Sequence, residues 1–386
     1  MMTASRSLFS GNVSGVYLDH QATDRPRPQA IEAVKYCMEH YFGNASALAH
    51  ERGKLSRRHL EKFRRAIASV VDAPEGTLFF TSGATEGNNL VISSEGRRPG
   101  AHLVVSSIEH KCVLESAIRA KEFGAKVSVL PVDSRGVVDL DVLRKTLADG
   151  ATLVSVMTAN NEIGTIQPFE EISRLCAAAG ARFHTDAAQA VGKIRANIQA
   201  LGADYVSFTA HKYGGPQGIG AVICNASVVD DMRPLLVGGG QERGMRPGTT
   251  PIPLCAGMAA ASLALMENME VEISRMHLLK RRLLHGLCSI GPFFTNGDVD
   301  HGLCSNLNGG FDRIPAALLM RRVPSVHFSV GSACTTGAGA SHVLTAIGLT
   351  SQQIQSSFRL SIGWSTTEQD IDDALVAFRA ALKTLH

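Results

Sequence analysis

Short apolar runs alternate with longer amphipathic stretches between about residues 60 and 250. Seven of the apolar runs predict buried strands: TLFFTSG, HLVVSSI, KVSVLPV, TLVSVMT, ARFHTD, YVSFTA and IGAVIC. Helical periodicity, often ending at glycine, marks the stretches GNNLVISSEG, KCVLESAIRAKEFG, DLDVLRKTLADG and FEEISRLCAAAG. Several of the strands lack polar alternation, which is typical of strands covered on both faces. This order predicts an α/β fold around a mostly parallel seven-stranded sheet.

The pattern changes after Arg243. A linker rich in proline and glycine, RGMRPGTTPIP, is followed by a long helical pattern from about 253 to 289. Strand-like runs follow at VHFSVGSA and SFRLSIGW, and a last helix is predicted over about 367–385. We therefore predict a large domain over 20–268 and a smaller α+β domain formed by 1–19 and 269–386.

Composition narrows the class of protein. The 386 residues exceed what one hydrophobic core holds, and 45% apolar with 19% charged residues is ordinary for a globular protein. The net charge of +3 gives no reason to expect direct nucleic-acid binding. No apolar run approaches the roughly 20 residues that span a bilayer, and CAGMAAASLALM predicts a buried helix instead. Because the N-terminus lacks a signal peptide's apolar core, we expect a cytoplasmic protein without a membrane partner.

One of the cysteines lies in a different sequence context from the others. The eight cysteines contain no CxxC pair, which argues against a metal site and against a disulfide framework. Cys334 differs because it lies in the polar, glycine-rich segment VGSACTTGAGASHVL. A thiol in a flexible loop is a candidate nucleophile, with a reactivity that depends on its thiolate fraction. A spare loop thiol is the alternative interpretation.

Two charged residues follow neighbouring predicted strands. Lys212 lies in VSFTAHKYGG, where an apolar strand gives way to a glycine-rich turn, and Asp186 ends the strand ARFHTD. Pyridoxal phosphate sites need this pair, because the amine forms a Schiff base with the aldehyde and the carboxylate keeps the pyridine nitrogen protonated. Taken alone, Asp186 could be a helix N-cap and Lys212 a surface lysine.

The segment FTSGATEGNNL predicts a phosphate cradle. It ends a strand and begins a helix, so Gly83, Ala84 and Thr85 present amides and a hydroxyl at the positive end of the helix dipole. An ordinary N-cap turn would have the same sequence. His110, in SSIEHKCV, follows another strand, and we expect its ring over the cofactor in a stacking or proton-transfer role.

Amide and guanidinium groups complete the predicted edge. Asn160 and Asn161 end the strand TLVSVMTANN, and an amide there could bond the cofactor's phenolate oxygen, although turn formation explains the pair equally well. Gln189, one helical step beyond Asp186, could serve the same oxygen. Arg359, in SSFRLSIGW, could grip a carboxylate through two bonds or form a structural ion pair.

With these residues in place, the chain resembles the cysteine desulfurases of the iron–sulfur assembly and nitrogenase-maturation type. This group is a branch of the fold-type I pyridoxal phosphate enzymes, close to the class V aminotransferases. The resemblance runs from VYLDHQAT near residue 16 to the last helix, through FTSGATE, EHK, NNEIG, TDAAQ, HKYGGPQGIG, QERGMRPGT, GSACT and SFRLSIG in order. It implies a fold-type I transferase and a homodimer with active sites at the subunit boundary.

The resemblance also implies roles for single residues. It implies that the cofactor's ring and aldehyde are contacted by Lys212, Asp186, His110 and Gln189. The phosphate would be bound by Ala84, Thr85, Thr209, His211 and, across the dimer interface, Thr249. Asn161 and Arg359 would bind the substrate carboxylate, and Cys334 would receive the sulfur.

The chain departs from the family's pattern at several places. Thr209 stands where serine is usual, which keeps the hydroxyl. HQATD replaces the common run of small residues after YLD and adds Gln21 and Asp24 near the cofactor entrance. The loop after Cys334 lacks the usual acidic and proline residues, which bears on how sulfur is handed on.

The implied reaction converts L-cysteine to L-alanine and leaves a persulfide on Cys334. Lys212 removes the Cα proton, the Cys334 thiolate attacks the substrate sulfur, and His110 donates or accepts protons. A protein acceptor of unknown identity then takes the sulfur, for iron–sulfur cluster assembly, tRNA thiolation or DNA phosphorothioation. The alternatives are a selenocysteine lyase, a class V aminotransferase or lyase that does not use Cys334, and a non-catalytic accessory subunit.

Overall fold

The computed structural model describes residues 13–73, 78–194, 202–330 and 340–385. Its helices are α1 Pro28–His40, α2 Glu51–Ser69, α3 Ala84–Gly96, α4 Lys111–Ala120, α5 Leu140–Ala148, α6 Phe169–Ala179, α7 Ala226–Val229, α8 Ile252–Ile290, α9 Ala316–Arg322, α10 His342–Ala346, α11 Ser351–Ser356 and α12 Glu368–Lys383. Its strands are β1 Val16–Tyr17, β2 Leu78–Thr81, β3 His102–Ser106, β4 Lys126–Leu130, β5 Leu153–Ser155, β6 Arg182–Asp186, β7 Tyr205–Thr209, β8 Gly220–Cys224, β9 Phe293–Thr295, β10 Asn306–Phe311, β11 Val326–His327, β12 Ser329–Val330 and β13 Ser357–Ser361.

The larger sheet of the described chain has seven strands in the order β2-β8-β7-β6-β5-β3-β4. Strands β4, β3, β5, β6 and β7 pair in parallel, and β8 is antiparallel to both of its neighbours. The inner strands are buried, which explains the near-continuous apolar runs in the sequence. The predicted mostly parallel seven-stranded sheet is confirmed, and each of the seven runs supplies one strand.

Helices cover both faces of this sheet. Consecutive side chains of a strand point to opposite faces, and in β2 the residues Phe79 and Phe80 enter different cores. Phe80 packs in a core with Leu60 of α2 and Met258 of α8, whereas Phe79 packs with Leu90 of α3. The sheet is therefore a middle layer between two layers of helices.

A second sheet lies in the C-terminal part of the chain. Among the described residues it has four antiparallel strands in the order β12-β13-β10-β9. Its core contains Phe311, Phe358 and Phe378, and the rings of Phe358 and Phe378 stack with centroids 5.8 Å apart. Strand β1 pairs in parallel with β11, so the chain's first described strand joins this C-terminal part.

Helix α8 connects the two cores. Met258 near its start packs beneath the large sheet, whereas Leu283 near its end packs in the C-terminal core. The predicted domain boundary at 268/269 lies inside this continuous helix and stays a prediction. One stretch of α8 is long and apolar enough to cross a membrane by length and composition, but 56% of it is buried within the fold.

Candidate active site

A cavity of about 590 Å³ opens where β2, β6 and β7 end. This position follows the rule that ligands of open parallel sheets bind at the carboxyl ends of the strands. Ten of the residues predicted for the site line the cavity: Ala84, Thr85, His110, Asn161, Asp186, Gln189, Thr209, His211, Lys212 and Arg359. The fold thus brings together groups that lie far apart in the sequence, and their individual roles stay predictions.

The Lys212 amine lies in the cavity on the short turn Ala210–Lys212 that follows β7. Its Nζ donates to the carbonyl oxygens of Gln21 at 2.6 Å and Ala22 at 2.8 Å. Burial, as the larger cause, and the positive charge of Lys193 together lower the pKa of this amine to about 7. A large fraction of the amine is therefore unprotonated near neutral pH, as a nucleophile or a base requires.

The backbone conformation just after Lys212 explains why glycine occurs there. Gly214 has a φ of 89°, a left-handed conformation that favours glycine. A Cβ at this position would lie only 2.6 Å from Cγ of Arg27, whose guanidinium is fixed by Glu272. The chain can therefore turn tightly behind Lys212, and the turn holds the lysine at the end of β7.

Asp186 is the last residue of β6 and is buried. Its Oδ2 accepts a hydrogen bond from Nδ2 of Asn88 at 2.6 Å, and its Oδ1 accepts one from the backbone N–H of Ala188 at 2.8 Å. Asn88 lies on α3 and is fully buried. Both carboxylate oxygens are thus held in fixed directions, which suits a group that must meet a ring nitrogen.

The start of α3 forms the wall where phosphate binding is predicted. Ala84 and Thr85 lie in its first turn, whose amides have no acceptor within the helix. Thr209 and His211 lie on the segment that ends β7, and the imidazole Nδ1 of His211 lies 3.2 Å from the Thr23 hydroxyl. Burial and the charge of the neighbouring lysine lower the pKa of His211 to about 4. A helix N-terminus, two hydroxyls and a neutral imidazole favour an anion here.

His110 lies in the cavity just before α4. Its Nδ1 accepts a hydrogen bond from the backbone N–H of Cys112 at 3.2 Å and so caps the helix. Burial lowers the pKa of the imidazole. This cap fixes the direction of the ring at the edge of the cavity, which is compatible with the predicted stacking or proton-transfer role.

The Arg359 guanidinium forms the opposite end of the cavity. It projects from β13, and its two Nη atoms donate to the Asn161 carbonyl at 2.7 Å and to Asp19 Oδ1 at 2.7 Å. One of them also donates to the Ser329 hydroxyl at 3.0 Å. The Nε atom is buried and has no partner among the described residues. The cation is therefore held in place with one donor still unpaired, as a carboxylate-binding arginine requires.

Asn160 does not share the site with its neighbour. Its Oδ1 accepts from the backbone amides of Glu162 and Ile163, and its Nδ2 donates to the Ile108 carbonyl. The side chain is fully buried and organises the turn. Turn formation thus explains Asn160, whereas Asn161 lines the cavity.

Gln189 connects Lys212 with a second buried lysine. Its Nε2 donates to the Gln21 carbonyl at 3.1 Å, and its Oε1 accepts from Nζ of Lys193 at 3.3 Å. Burial lowers the pKa of Lys193. Because the Gln21 carbonyl accepts from both Lys212 and Gln189, the HQATD segment helps to build the centre of the site.

The cavity does not test the predicted roles of Thr249 and Cys334. Thr249 is exposed and is not among its lining residues. Its predicted contact is with the partner subunit's phosphate site, so its role stays a prediction. Cys334 lies outside the described residues, as does the loop 331–339 around it.

Sequence reasoning missed several residues that support the site. They are Asp19, Asn88, Cys112, Lys193 and Ser329. Asp19 belongs to the YLD marker, and that marker was the signal that could have found it. Asn88 and Ser329 act through contacts with residues distant in sequence. Cys112 and Lys193 lie only two and four positions from His110 and Gln189, but no motif in the sequence marks them.

The cavity has the features that pyridoxal phosphate needs. It combines an amine with a pKa near neutrality, a fixed carboxylate and a helix N-terminus within one enclosed space. Among the described residues, no group of His, Cys, Asp and Glu could hold a metal ion. The Lys212 amine, the Asp186 carboxylate and the start of α3 together fit this cofactor.

Comparison with known proteins agrees with the site. The model of the family "Aminotransferase class-V" matches residues 16–374. The cysteine desulfurase IscS of Rickettsia prowazekii (strain Madrid E) is 38% identical over 365 residues, which are 93% of this chain and 89% of the relative. The solved structure of a NifS-like protein has a TM-score of 0.89 and 33% identity, covering 96% of this chain and all of that one.

A second structure was determined with an amino acid bound. The structure titled "SspA in complex with cysteine" has a TM-score of 0.80 and 29% identity, and it covers 91% of this chain and 100% of that chain. The likeness in sequence and structure extends over both sheets and the cavity. The chain therefore belongs to the class-V aminotransferase family and, within it, to the cysteine desulfurases.

Proposed function

We propose that the chain is a pyridoxal phosphate-dependent cysteine desulfurase that converts L-cysteine to L-alanine and passes the sulfur to Cys334. The observation that carries this proposal is the Lys212 amine, with a pKa of about 7, in one cavity with Asp186 and Arg359. These three groups supply three functions that the proposed reaction requires: a nucleophilic base, a partner for the protonated ring nitrogen, and a cation that binds the substrate carboxylate.

The residues that would hold the cofactor lie at the carboxyl ends of the large sheet. When bound, pyridoxal phosphate supplies an electron sink that makes the substrate's Cα proton acidic. Asp186 would face the ring nitrogen, and His110 would cover the ring. The phosphate would be held by Ala84, Thr85, Thr209, His211 and the partner subunit's Thr249.

The chain's own residues then bind the substrate and move its protons. Arg359 and Asn161 hold the carboxylate of L-cysteine, which places Cα near the Lys212 amine. The unprotonated Nζ of Lys212 removes the Cα proton, since its pKa suits transfer near neutral pH. His110 lies at the same edge and serves the remaining proton transfers.

Sulfur transfer uses the Cys334 thiolate as nucleophile. It attacks the substrate sulfur, so the Cβ–S bond breaks and an S–S bond to Cys334 forms. The electron pair of the broken bond stays on the substrate carbons, and Cβ takes up a proton to become the methyl group of alanine. The persulfide then passes to a protein acceptor, in iron–sulfur cluster assembly, tRNA thiolation or DNA phosphorothioation.

A second copy of the chain completes the proposed site. Val237 is 92% exposed, and Phe42, Leu48 and Leu236 are also exposed apolar side chains. Gly238 approaches Pro247, so the exposed segment lies beside the one that carries Thr249. We expect a homodimer that covers these side chains, and sedimentation of the purified protein measures it. A Val237→Asp variant should weaken the dimer.

The direct test of the function follows both products of labelled L-cysteine. The protein should release one alanine for each persulfide sulfur found on the peptide that contains Cys334. Cys334→Ser should still bind the cofactor and L-cysteine but form no persulfide, whereas the control Cys288→Ser, at an exposed thiol, should behave as the parent. Persulfide or sulfide formation by Cys334→Ser at the parental rate would contradict the assignment of the nucleophile. A colourless protein that makes no alanine would contradict the function itself.

A further inference from the structure

Cys112 lies in the cavity beside His110, and the mechanism above gives it no role. Its Sγ is 3.0 Å from Nδ1 of His110, and its backbone N–H donates to the same nitrogen at 3.2 Å. On its other side, Nδ2 of Asn88 donates to Sγ at 3.2 Å and to Oδ2 of Asp186 at 2.6 Å. These contacts form one continuous chain from the carboxylate at the end of β6 to the imidazole.

The direction of each hydrogen bond in this chain follows from its first member. An ionised carboxylate only accepts, so the Asn88 atom that contacts Asp186 is the NH2 group. The second hydrogen of that group is the one directed to Cys112 Sγ, which accepts it. Burial raises the pKa of Cys112 to about 12, so this group is a thiol with one hydrogen of its own. Thr85 also forms a hydrogen bond with this side chain and lowers the pKa of the thiol, so its hydroxyl is a second donor to Sγ. Nδ1 of His110 is therefore the acceptor for the S–H.

His110 therefore receives two donors at one ring nitrogen, the S–H and the backbone N–H of Cys112. Burial lowers the pKa of the imidazole, so it is neutral in the working range of a neutral-pH enzyme. The charged or titratable groups that face it are Asp186, Lys212, His342 and Lys111. A neutral imidazole carries a single proton, and with Nδ1 accepting, that proton lies on Nε2.

We propose that Cys112 is a positioning residue that fixes the Nε2-protonated tautomer of His110. The ring then presents an N–H to the reacting groups and has no free basic nitrogen, because its lone pair at Nδ1 is occupied. A ring with its proton on Nδ1 would face the backbone N–H of Cys112, which can only donate, and would lose that hydrogen bond together with the one from the S–H, which would have to turn to another acceptor. The catalytic consequence rests on the proposed function, whereas the tautomer itself does not.

The tautomer can be measured without any turnover. We suggest nitrogen NMR of the cofactor-free protein labelled at histidine, with the His110 signals assigned by their loss in His110→Asn. The parent should show a proton on Nε2 and none on Nδ1 throughout the neutral range. Signals of the opposite tautomer, or of an even mixture of the two, would overturn the proposal.

Variants at Cys112 separate this role from simple packing. Cys112→Ala removes the S–H donor, so the proton affinity of His110 should rise about fivefold, the effect of one neutral hydrogen bond. Cys112→Ser keeps a donor and should restore the parental value. Cys176→Ala removes another buried thiol, away from the cavity, and should change nothing at His110. Equal proton affinities in the alanine and serine variants would overturn the proposal, because a packing effect would not depend on the donor.

Kinetics of the loaded enzyme give a second readout. The acidic limb of kcat/KM for alanine formation should move to higher pH in Cys112→Ala and return in Cys112→Ser. A parent that makes no alanine would contradict the proposed function, while the NMR result would still decide the tautomer. A limb that is identical in the parent and in Cys112→Ala would overturn the catalytic consequence.

Discussion

The two ends of the cavity are built in different ways. At the cofactor end, Asp186 is the last residue of a strand of the large sheet, and Thr85 and Lys212 lie in the turns just beyond two other strands. At the substrate end, Arg359 lies on the small antiparallel sheet and is held by groups 198 and 340 positions away in the sequence, the Asn161 carbonyl and Asp19. The backbone positions at the first end are set by the ends of adjacent strands, whereas the second end depends on the docking of the small sheet against distant segments.

This difference predicts different consequences for substitutions. A rigid parallel sheet fixes the cofactor end, so changes there should remove reactive groups without disturbing binding of the substrate carboxylate. The substrate end depends on contacts between the two sheets, so changes there should act on KM. The predictions below test this division, beginning with the largest expected effect.

Lys212→Ala should lower alanine formation from L-cysteine by more than about a thousandfold, because it removes both the nucleophile and the base. Product analysis of purified protein measures this loss. Lys145→Ala, at an exposed lysine on α5, is the control and should keep the parental rate. A Lys212→Ala variant within tenfold of the parent would show that the cofactor end does not contain the reactive amine.

Arg359→Lys should raise the KM for L-cysteine by roughly 10- to 100-fold, since a hydrogen bond to a charged group is lost with the planar fork. The same change should leave cofactor binding unaltered. Arg282→Lys, at an exposed ion pair with Asp372, is the matched control. An unchanged KM together with a reduced kcat would contradict the claim that substitutions at the substrate end act on KM.

Asn88→Ala should weaken cofactor binding by about tenfold, because it removes a donor to the Asp186 carboxylate. Absorbance titration of cofactor-free protein measures the dissociation constant. Asn268→Ala, whose amide bonds a carbonyl of its own helix, should bind cofactor as the parent does. A change in the KM for L-cysteine at unchanged cofactor affinity would place the role of Asn88 at the other end of the cavity.

Glu109→Gln should change the pH dependence of the free energy of unfolding. Burial raises the pKa of Glu109 from 4.5 to about 8, so the folded protein keeps a proton that the unfolded chain releases within this window. The free energy of unfolding of the parent should therefore fall as pH rises from 4.5 to about 8, and the glutamine variant should lack this slope. Urea denaturation across the window measures both, with the exposed Glu115→Gln as control. A stronger fall in the variant would contradict a protonated carboxyl.

The cofactor end could be predicted because its signals are local. Lys212 follows an apolar run and Asp186 ends another, so both could be placed at strand ends from the sequence. The seven apolar runs form the seven strands of the sheet. Helices α1 and α2 were not predicted, although α2 covers one face of that sheet. The predicted domain boundary at 268/269 lies within the long helical pattern predicted over about 253–289, which the structure forms as the continuous helix α8.

The supports of the site could not be read from the sequence. Cys112 and Asn88 acquire their roles only because α3 and α4 pack side by side next to β6. Arg359 looked equally like a carboxylate clamp and a structural ion pair. In the structure it forms an ion pair with Asp19, while its Nε has no partner within the described part of the chain. Contacts of this kind depend on tertiary packing rather than on spacing along the chain.

The most direct test of the account is reduction of the loaded protein with borohydride, followed by mass analysis of its peptides. The account predicts that one cofactor becomes permanently attached to the peptide that contains Lys212. Attachment to Lys193 or another lysine, or cofactor lost on unfolding after reduction, would contradict it.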